Sequence, residues 1–300
     1  MQESRNQDQK IKVNLMIFSN YIKLTRLNQP TGIWLLFLPC LFGIFLSLKK
    51  ITNFDLKEIC QLIFLFLAGS IVMRSAGCII NDLFDQKFDE KVERTKHRPL
   101  AAKKVSRLEA LILLAFLLFL GLMILLQFNF KTILSGFLAL ILVLTYPLMK
   151  RITYYPQFFL GLTFNFGILM SSLAILERID LAMIYLYFAA IIWTLIYDTI
   201  YAFQDIEDDL QAGVKSTAIK FKNNPKKILI WLSLAMFLSL IFVGLENRFG
   251  LGFFLITLIN AAFLNQKIRK CDFQNPKICL RTFKENIVVG VLIAVSILAG

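Results

Sequence analysis

Asn81, Asp85 and Asp89 follow one another at four-residue intervals. At 100° per residue such a series drifts only about 40° per step, so on a helix the three side chains share one face. Arg74, seven residues before Asn81, falls within about 20° of it on that face. A carboxamide and two carboxylates suit a hard divalent cation such as Mg²⁺, which takes a few carboxylates and shares its other positions with phosphate. The alternative is a solvated acidic turn at the end of an apolar helix. This stretch alone leaves both readings open.

A second acidic place lies at 197–209. Asp198 and Asp205 are spaced i, i+7, and Asp205 and Asp209 i, i+4, so one helical face again collects carboxylates. Asp198 falls inside an apolar run, where a carboxylate is costly and marks function by default.

The elements that must carry these residues are membrane helices. Apolar residues make up 57% of the 300, with 29 Phe, and the mean hydropathy is +0.67. Nine apolar segments stand out, at 31–48, 59–80, 108–127, 132–149, 157–176, 182–203, 228–245, 249–265 and 287–300. The reading is therefore all-α: nine transmembrane helices around a central cavity, with the two acidic motifs at the cytoplasmic side. Residues 1–29 form a polar tail with an interfacial stretch, without the apolar core of a removable signal peptide, and 30–300 form one transmembrane domain. The net charge of +13 is topological. The N-terminal side of the segments carries 26 of the 33 Lys and Arg and the opposite side 6, with Arg74 inside the second segment. That asymmetry puts the N-terminus in the cytoplasm and excludes nucleic acid as a partner.

Both acidic faces follow even-numbered segments and so emerge on the cytoplasmic side. Carboxylates gathered there would repel and raise one another's pKa, and bound cations remove the conflict. Cations on both faces would clamp a diphosphate, with Arg74, Arg94, Arg98, Lys150 or Arg151 neutralising the remaining charge. A parallel four-helix pseudo-repeat is hinted at by the 120-residue separation of Asp85 and Asp205.

The pattern NDxxDxxxD followed by DxxxD resembles the UbiA superfamily of intramembrane prenyltransferases. The likeness extends to Met73-Arg74-Ser75-Ala76-Gly77-Cys78-Ile79-Ile80-Asn81-Asp82, to Arg94-Thr95 with Arg98-Pro99-Leu100, and to Tyr146-Pro147 with Met149-Lys150-Arg151. It includes Tyr197-Asp198-Thr199 with Lys215-Ser216-Thr217-Ala218-Ile219, and spans residues 20–295. These motifs are similar to the branch that prenylates 4-hydroxybenzoate in ubiquinone synthesis. The resemblance implies Mg²⁺ held by Asn81, Asp85, Asp89, Asp205 and Asp209, polyprenyl diphosphate as donor, 4-hydroxybenzoate as acceptor and a lipid bilayer, a bacterial inner membrane, as the setting. Arg74, Arg94, Arg98 and Lys150 are then expected to bind diphosphate and Arg151 the acceptor's carboxylate. Asp85 and Asp205 are expected to serve catalysis through the metal, and Asp198 by orienting the phenol or accepting its proton. Gln29, where relatives often have Lys, and Lys220-Phe221-Lys222, where they have an apolar Gly-containing stretch, depart from the pattern without touching the metal motifs.

Other acceptors stay open at this point: a naphthoate, haem, or a tocopherol or chlorophyll precursor. A secondary transporter is a different class; its carboxylates would sit on an ion path at mid-membrane, often between inverted repeats, whereas these cluster at one surface. The segment 91–100 is too basic for hydrophobic packing. Cys40, Cys60 and Cys78 read as small hydrophobes, Cys271 and Cys279 as thiols of a basic loop, and His97, the only histidine, as an exposed loop side chain. Prenyl chain length and oligomeric state have no signature in the pattern.

Overall fold

A computed structural model describes residues 18–53 and 55–300; most of the polar tail, 1–17, lies outside the described residues. Every regular element described is helical. Nine helices are long and apolar enough to cross a membrane among the described residues, in agreement with the nine segments expected. After a short helix α1 at 18–24, the chain runs through α2 (Thr31–Leu48), α3 (Leu56–Asp89), α4 (Arg107–Leu125), α5 (Phe130–Ile152), the pair α6 (Pro156–Phe164) and α7 (Phe166–Leu176), and α8 (Leu181–Ala202). Two short helices, α9 (Ile206–Ala212) and α10 (Thr217–Phe221), lead on to α11 (Pro225–Glu246), α12 (Leu251–Lys270) and α13 (Pro276–Ala299). The chain is a multi-pass membrane protein.

Two compact units are distinguished, Met1–Pro30 with Ile71–Leu122, and Thr31–Ser70 with Met123–Gly300. In the first, Leu24, Ile79, Leu100, Val105 and Ala110 form a buried cluster. Its helix α4 is apolar all round yet buries only Ala110, so Leu108, Leu111, Ile112, Phe116 and Phe119 face outward, as lipid contact requires. Ser106 and Glu109 start α4 with a reciprocal cap: the Ser106 N–H donates to Glu109 Oε2 at 2.7 Å and the Glu109 N–H to Ser106 Oγ at 3.2 Å.

In the second unit α8 is the central post. Trp193 and Tyr197 are fully buried, and their rings meet edge to face 5.2 Å apart. Asp180 caps its N-terminus by accepting from the Met183 N–H at 3.1 Å and pairs with Lys50. Close packing of α2 on α7 depends on a glycine: a Cβ on Gly43 would lie 2.6 Å from the carbonyl oxygen of Ile168. Beside it, Ser171 Oγ donates to the Cys40 carbonyl at 3.0 Å. Small residues that let backbones approach are how membrane helices associate without a hydrophobic drive.

Four expectations change. The fifth span is two helices, broken at Asn165, whose φ of −93° and ψ of 1° leave the helical region. Asn165 ties the break to α8, its Nδ2 donating to the carbonyls of Gly161 (2.8 Å) and Ala190 (3.0 Å) and to Thr194 Oγ1 (2.7 Å), and the Leu162 carbonyl, freed at the end of α6, accepts from the Tyr187 hydroxyl at 2.8 Å. The last span starts at Pro276, not 287. Asn275 caps it by accepting from the N–H groups of Lys277 and Ile278, and its first turns are amphipathic, which hides them from a hydropathy reading. Cys279 therefore lies in a helix, buried, rather than in a loop. Finally, segment 91–100 does pack hydrophobically at its end, with Leu100 buried.

Gly43→Ala is expected to lower the melting temperature of the detergent-purified protein, at a cost of about 1–3 kcal/mol for overpacking against a backbone carbonyl. Gly77→Ala, whose Cβ would meet nothing within 4 Å, is not expected to lower it. Equal melting temperatures for Gly43→Ala and the parent would show that α2 and α7 do not rely on this approach.

Candidate functional site

The acidic end of α3 stays helical through Asp89, so the expected spacing operates as drawn. Asp85 and Asp89 are buried, at 2% and 7% exposure, and Asn81 and Arg74 are half-buried. Asp82, which the i, i+4 series passes over, is buried as deeply as Asp85. With Asp85 and Asp89 it makes an i, i+3, i+7 series, a second reading of the same helix that brings three carboxylates within about 60°.

Two arginines answer these acids. Arg26 Nη2 lies 2.9 Å from both oxygens of Asp82. Arg98 Nη1 donates to Asp82 Oδ1 at 3.2 Å and to Asp89 Oδ2 at 2.8 Å. Burial works against the charge on Arg98, but Asp82 and Asp89 outweigh it and hold its pKa above the ordinary arginine value. Arg98 is delivered by a segment folded tightly onto α3. Thr95 Oγ1 donates to the Asp89 carbonyl at 3.2 Å, satisfying one orphan acceptor of the helix end. Gln86 bridges outward, donating to the Leu100 carbonyl at 3.1 Å and accepting from Arg107 Nε at 2.6 Å. Arg94 and His97 in the same segment are exposed.

In the other unit the expected helical face of Asp205 and Asp209 is interrupted. A 3₁₀ turn, Phe203–Asp205, ends α8, and Asp205 itself has φ −119° and ψ 15° before α9 begins. The i, i+4 count therefore does not describe one continuous α-helix here. The turn is held by Phe203, buried and 4.7 Å from the Phe273 ring. Asp198 is half-buried within α8, and Asp205 and Asp209 are half-buried below it.

The Tyr197-Asp198-Thr199 and Lys215–Ile219 stretches, on either side of α9, are joined. Thr199 and Thr217 hydroxyls lie 2.6 Å apart and both residues are buried. Thr217 N–H donates to Gln157 Oε1 at 3.1 Å, and Lys215 N–H donates to the Lys150 carbonyl at 2.9 Å. Lys215 Nζ reaches the Ile152 carbonyl at 3.1 Å. These bonds hold the end of α5, with Lys150 half-buried and Arg151 exposed, beside the segment that steadies Thr199. Gln157, at the start of α6, carried no sequence signal of this role.

Among the described residues no three His, Cys, Asp or Glu side chains converge as a ready ligand set. The donor chemistry of Asn81, Asp85 and Asp89 nevertheless fits Mg²⁺: each offers side-chain oxygen, both carboxylates of this set are buried, and a cation, the Arg98 guanidinium, already rests on Asp89.

The profile of the UbiA prenyltransferase family matches residues 36–292. The mitochondrial 4-hydroxybenzoate polyprenyltransferase of Rattus norvegicus is 42% identical over 281 residues, covering 93% of this chain and 74% of its own length. The protein of the same name from Homo sapiens is 41% identical, with 93% and 75% covered. Among solved structures, the apo form of a UbiA homologue from Aeropyrum pernix K1 superposes with a TM-score of 0.70 at 24% identity, covering 88% of this chain and 96% of that one. A UbiA homologue from Archaeoglobus fulgidus bound to GPP and Mg²⁺ gives 0.66 at 20% identity, covering 94% and 100%; the same protein has been solved bound to Cd²⁺.

Removing the Gln157 acceptor should loosen the 213–222 segment. Gln157→Ala is expected to speed trypsin cleavage at Lys215, Lys220 or Lys222 severalfold, since opening a buried hydrogen bond costs about 1–3 kcal/mol. Mass spectrometry of the fragments reads the site, and an unchanged cleavage rate would mean that Gln157 does not hold this segment.

Proposed function

The chain belongs to the UbiA prenyltransferase family, and on that footing we propose that it transfers a polyprenyl group from polyprenyl diphosphate to 4-hydroxybenzoate, at the ring carbon ortho to the hydroxyl, in ubiquinone synthesis. The observation that carries this reading is identity of 41–42% along 93% of the chain to proteins bearing that one activity in their names. It favours 4-hydroxybenzoate over a naphthoate, haem or another quinone precursor.

In the reaction the bond between the first isoprenoid carbon and the diphosphate oxygen breaks, its electron pair leaving with the diphosphate. The ring carbon supplies the pair for the new C–C bond and then loses its proton. Asn81, Asp85, Asp89, Asp205 and Asp209 would hold Mg²⁺, which would supply the charge neutralisation that makes diphosphate a competent leaving group. Arg74, Arg94, Arg98 and Lys150 bind the diphosphate oxygens, Arg98 through the edge of its guanidinium turned away from the carboxylates. Arg151 pairs with the acceptor's carboxylate through its planar fork. Asp198 orients the phenol or takes its proton, in a helix whose next residue, Thr199, is locked to Thr217. The apolar spans take the polyisoprenoid tail and keep water from the allylic cation.

The charge asymmetry supports an orientation with the N-terminus and each acidic helix end on the side where positive loops are retained. That is the cytoplasmic face of a bacterial inner membrane or, as the word mitochondrial in the relatives' names suggests, the equivalent matrix face.

Membranes carrying the protein, given labelled 4-hydroxybenzoate, a polyprenyl diphosphate and Mg²⁺, are expected to form the 3-polyprenyl acid, to stop with EDTA and to recover with added Mg²⁺. No prenylated product from any donor length would sink this reading. Asp85→Asn and Asp205→Asn should each lower kcat by about 100-fold or more while the protein stays membrane-inserted. Near-normal turnover in either would remove that residue from the site. Arg151→Ala should raise the acceptor's KM about tenfold and leave that of the diphosphate unchanged; an unmoved acceptor KM would make Arg151 a topological anchor only.

A further inference from the structure

Asp82 differs from its neighbours on α3. Asp85 and Asp89 belong to the proposed metal set, but both oxygens of Asp82 already face Arg26, and one of them also faces Arg98. The carboxylate is 2% exposed, so it exchanges neither partner for water at low cost. It is a fixed anion between two guanidinium groups.

Arg26 is itself held in place. Its backbone lies in the left-handed region, at φ 59°, which a non-glycine residue adopts only when its surroundings over-determine it. Its Nη1 closes onto the Lys23 carbonyl at 2.6 Å, so the side chain is braced by its own turn before it meets Asp82. Leu24, two residues earlier, is buried with Ile79 and Leu100 and fixes that turn to the helix.

Arg98 stands at the other end of this arrangement. Its two carboxylate contacts, to Asp82 and Asp89, use the same terminal nitrogen. The guanidinium is planar with donors in a rigid fork, so holding one nitrogen sets the direction of the others. Anchoring at Asp82 does not depend on Asp89. When Asp89 turns to a metal, Arg98 keeps one partner and its orientation.

We infer that Arg26 and Asp82 are positioning residues for substrate diphosphate: the Arg26–Asp82 pair fixes Arg98 at the end of α3, so that Arg98 passes from Asp89 to a diphosphate oxygen without losing its place. This rests on the proposed prenyl-diphosphate chemistry and adds to it two residues that touch neither metal nor substrate. Asp82 also keeps the pair Arg26 and Arg98 from repelling each other, which is why a neutral residue there should misdirect Arg98 rather than free it.

The test is a kinetic and binding comparison of wild type, Asp82→Asn, Arg26→Lys, Arg98→Gln and the double variant Asp82→Asn/Arg98→Gln, each purified in detergent and checked for an unchanged helical spectrum. Asp82→Asn is expected to raise the donor diphosphate's KM about tenfold, the worth of one charge-assisted hydrogen bond, while the aromatic acceptor's KM moves less than about twofold. Arg26→Lys, which keeps the charge but not the two-oxygen contact, should fall between Asp82→Asn and wild type. The double variant should be no worse than Arg98→Gln alone, because Asp82 acts through Arg98. A purely structural tie would instead lower melting temperature and reduce turnover without separating the two KM values, and its effect would multiply with that of Arg98→Gln; either result overturns the proposal. Binding of inorganic diphosphate with Mg²⁺, read as a thermal shift, keeps the two readings apart. Wild type that binds diphosphate but transfers no prenyl group defeats the proposed activity alone, and the same ranking of variants in binding then still supports the positioning role. Equal binding by wild type and Asp82→Asn defeats the positioning role alone, and wild type that does not bind diphosphate defeats it as well. Should Asp82→Asn fail to fold, Arg26→Lys decides: a diphosphate KM equal to that of wild type overturns the assignment.

Discussion

A carboxylate buried at the edge of a hydrocarbon layer has to be matched by positive charge, because the water that would otherwise solvate it is gone. The end of α3 carries three such groups, Asp82, Asp85 and Asp89, and the structure around it follows from that demand. Arg26 is drawn back across the chain to Asp82, and Arg98 bridges Asp82 and Asp89. Bringing Arg98 there forces the basic segment 91–100 to fold over the helix end. The same fold presses Leu100 and Val105 against Leu24 and Ile79. Charge pairing and hydrophobic burial are thus two faces of one segment. A loop judged only by its count of Lys and Arg would be sent wholly into solvent, whereas this one buries Thr95, Pro99 and Leu100 and leaves Lys91, Glu93, Arg94 and His97 exposed.

In the other unit the same scarcity of water acts on the backbone. A helix interrupted within an apolar span exposes carbonyl and N–H groups that lipid cannot satisfy. The Tyr187 hydroxyl of α8 supplies a partner for the freed Leu162 carbonyl, and Asn165 ties the break to α8 through Ala190 and Thr194. Trp193, one residue from Thr194, donates to Asn286 at 3.2 Å, so α8 is tied on two sides. Lower down, Thr199 and Thr217 share a hydroxyl contact and Gln157 holds the Thr217 N–H. The helix that carries Asp198 is therefore clamped by polar contacts above and below that residue. Rotation of α8 would break several of them at once, which suits the directional task proposed for Asp198.

Nine spans were legible in the sequence because apolar length is a direct consequence of membrane thickness. Chemical identity was legible in part because carboxylate spacing survives on a straight helix such as α3. Spacing failed where a helix bends for tertiary reasons. The 3₁₀ turn at Phe203–Asp205 depends on the contact between Phe203 and Phe273, seventy residues apart in the chain, and no i, i+4 count contains it. The early start of α13 was hidden because an amphipathic turn with Lys277, Arg281 and Lys284 has no hydropathy signal. Asp82 was visible as a residue but not as a role. Its main partner, Arg26, lies 56 positions earlier in a stretch that reads only as an interfacial tail.

Prenyl transfer asks opposite things of one protein. The diphosphate head needs dense, compensated charge, and the isoprenoid tail and the cation formed from it need a dry apolar surround. Under the proposed function α3 would meet the two demands in succession along one helix. Its first part is apolar apart from a few polar residues at its entry, Arg74 stands in the transition, and carboxylates occupy its last two turns. Arginine rather than lysine suits the pairing at that end. A planar guanidinium can hold one carboxylate along one edge and present another edge to a second anion, where an ammonium offers a single point of charge. A charge to be shared between protein and substrate, as proposed for Arg98, is best carried by a group with two usable edges, and Arg98 grips Asp82 and Asp89 through one nitrogen.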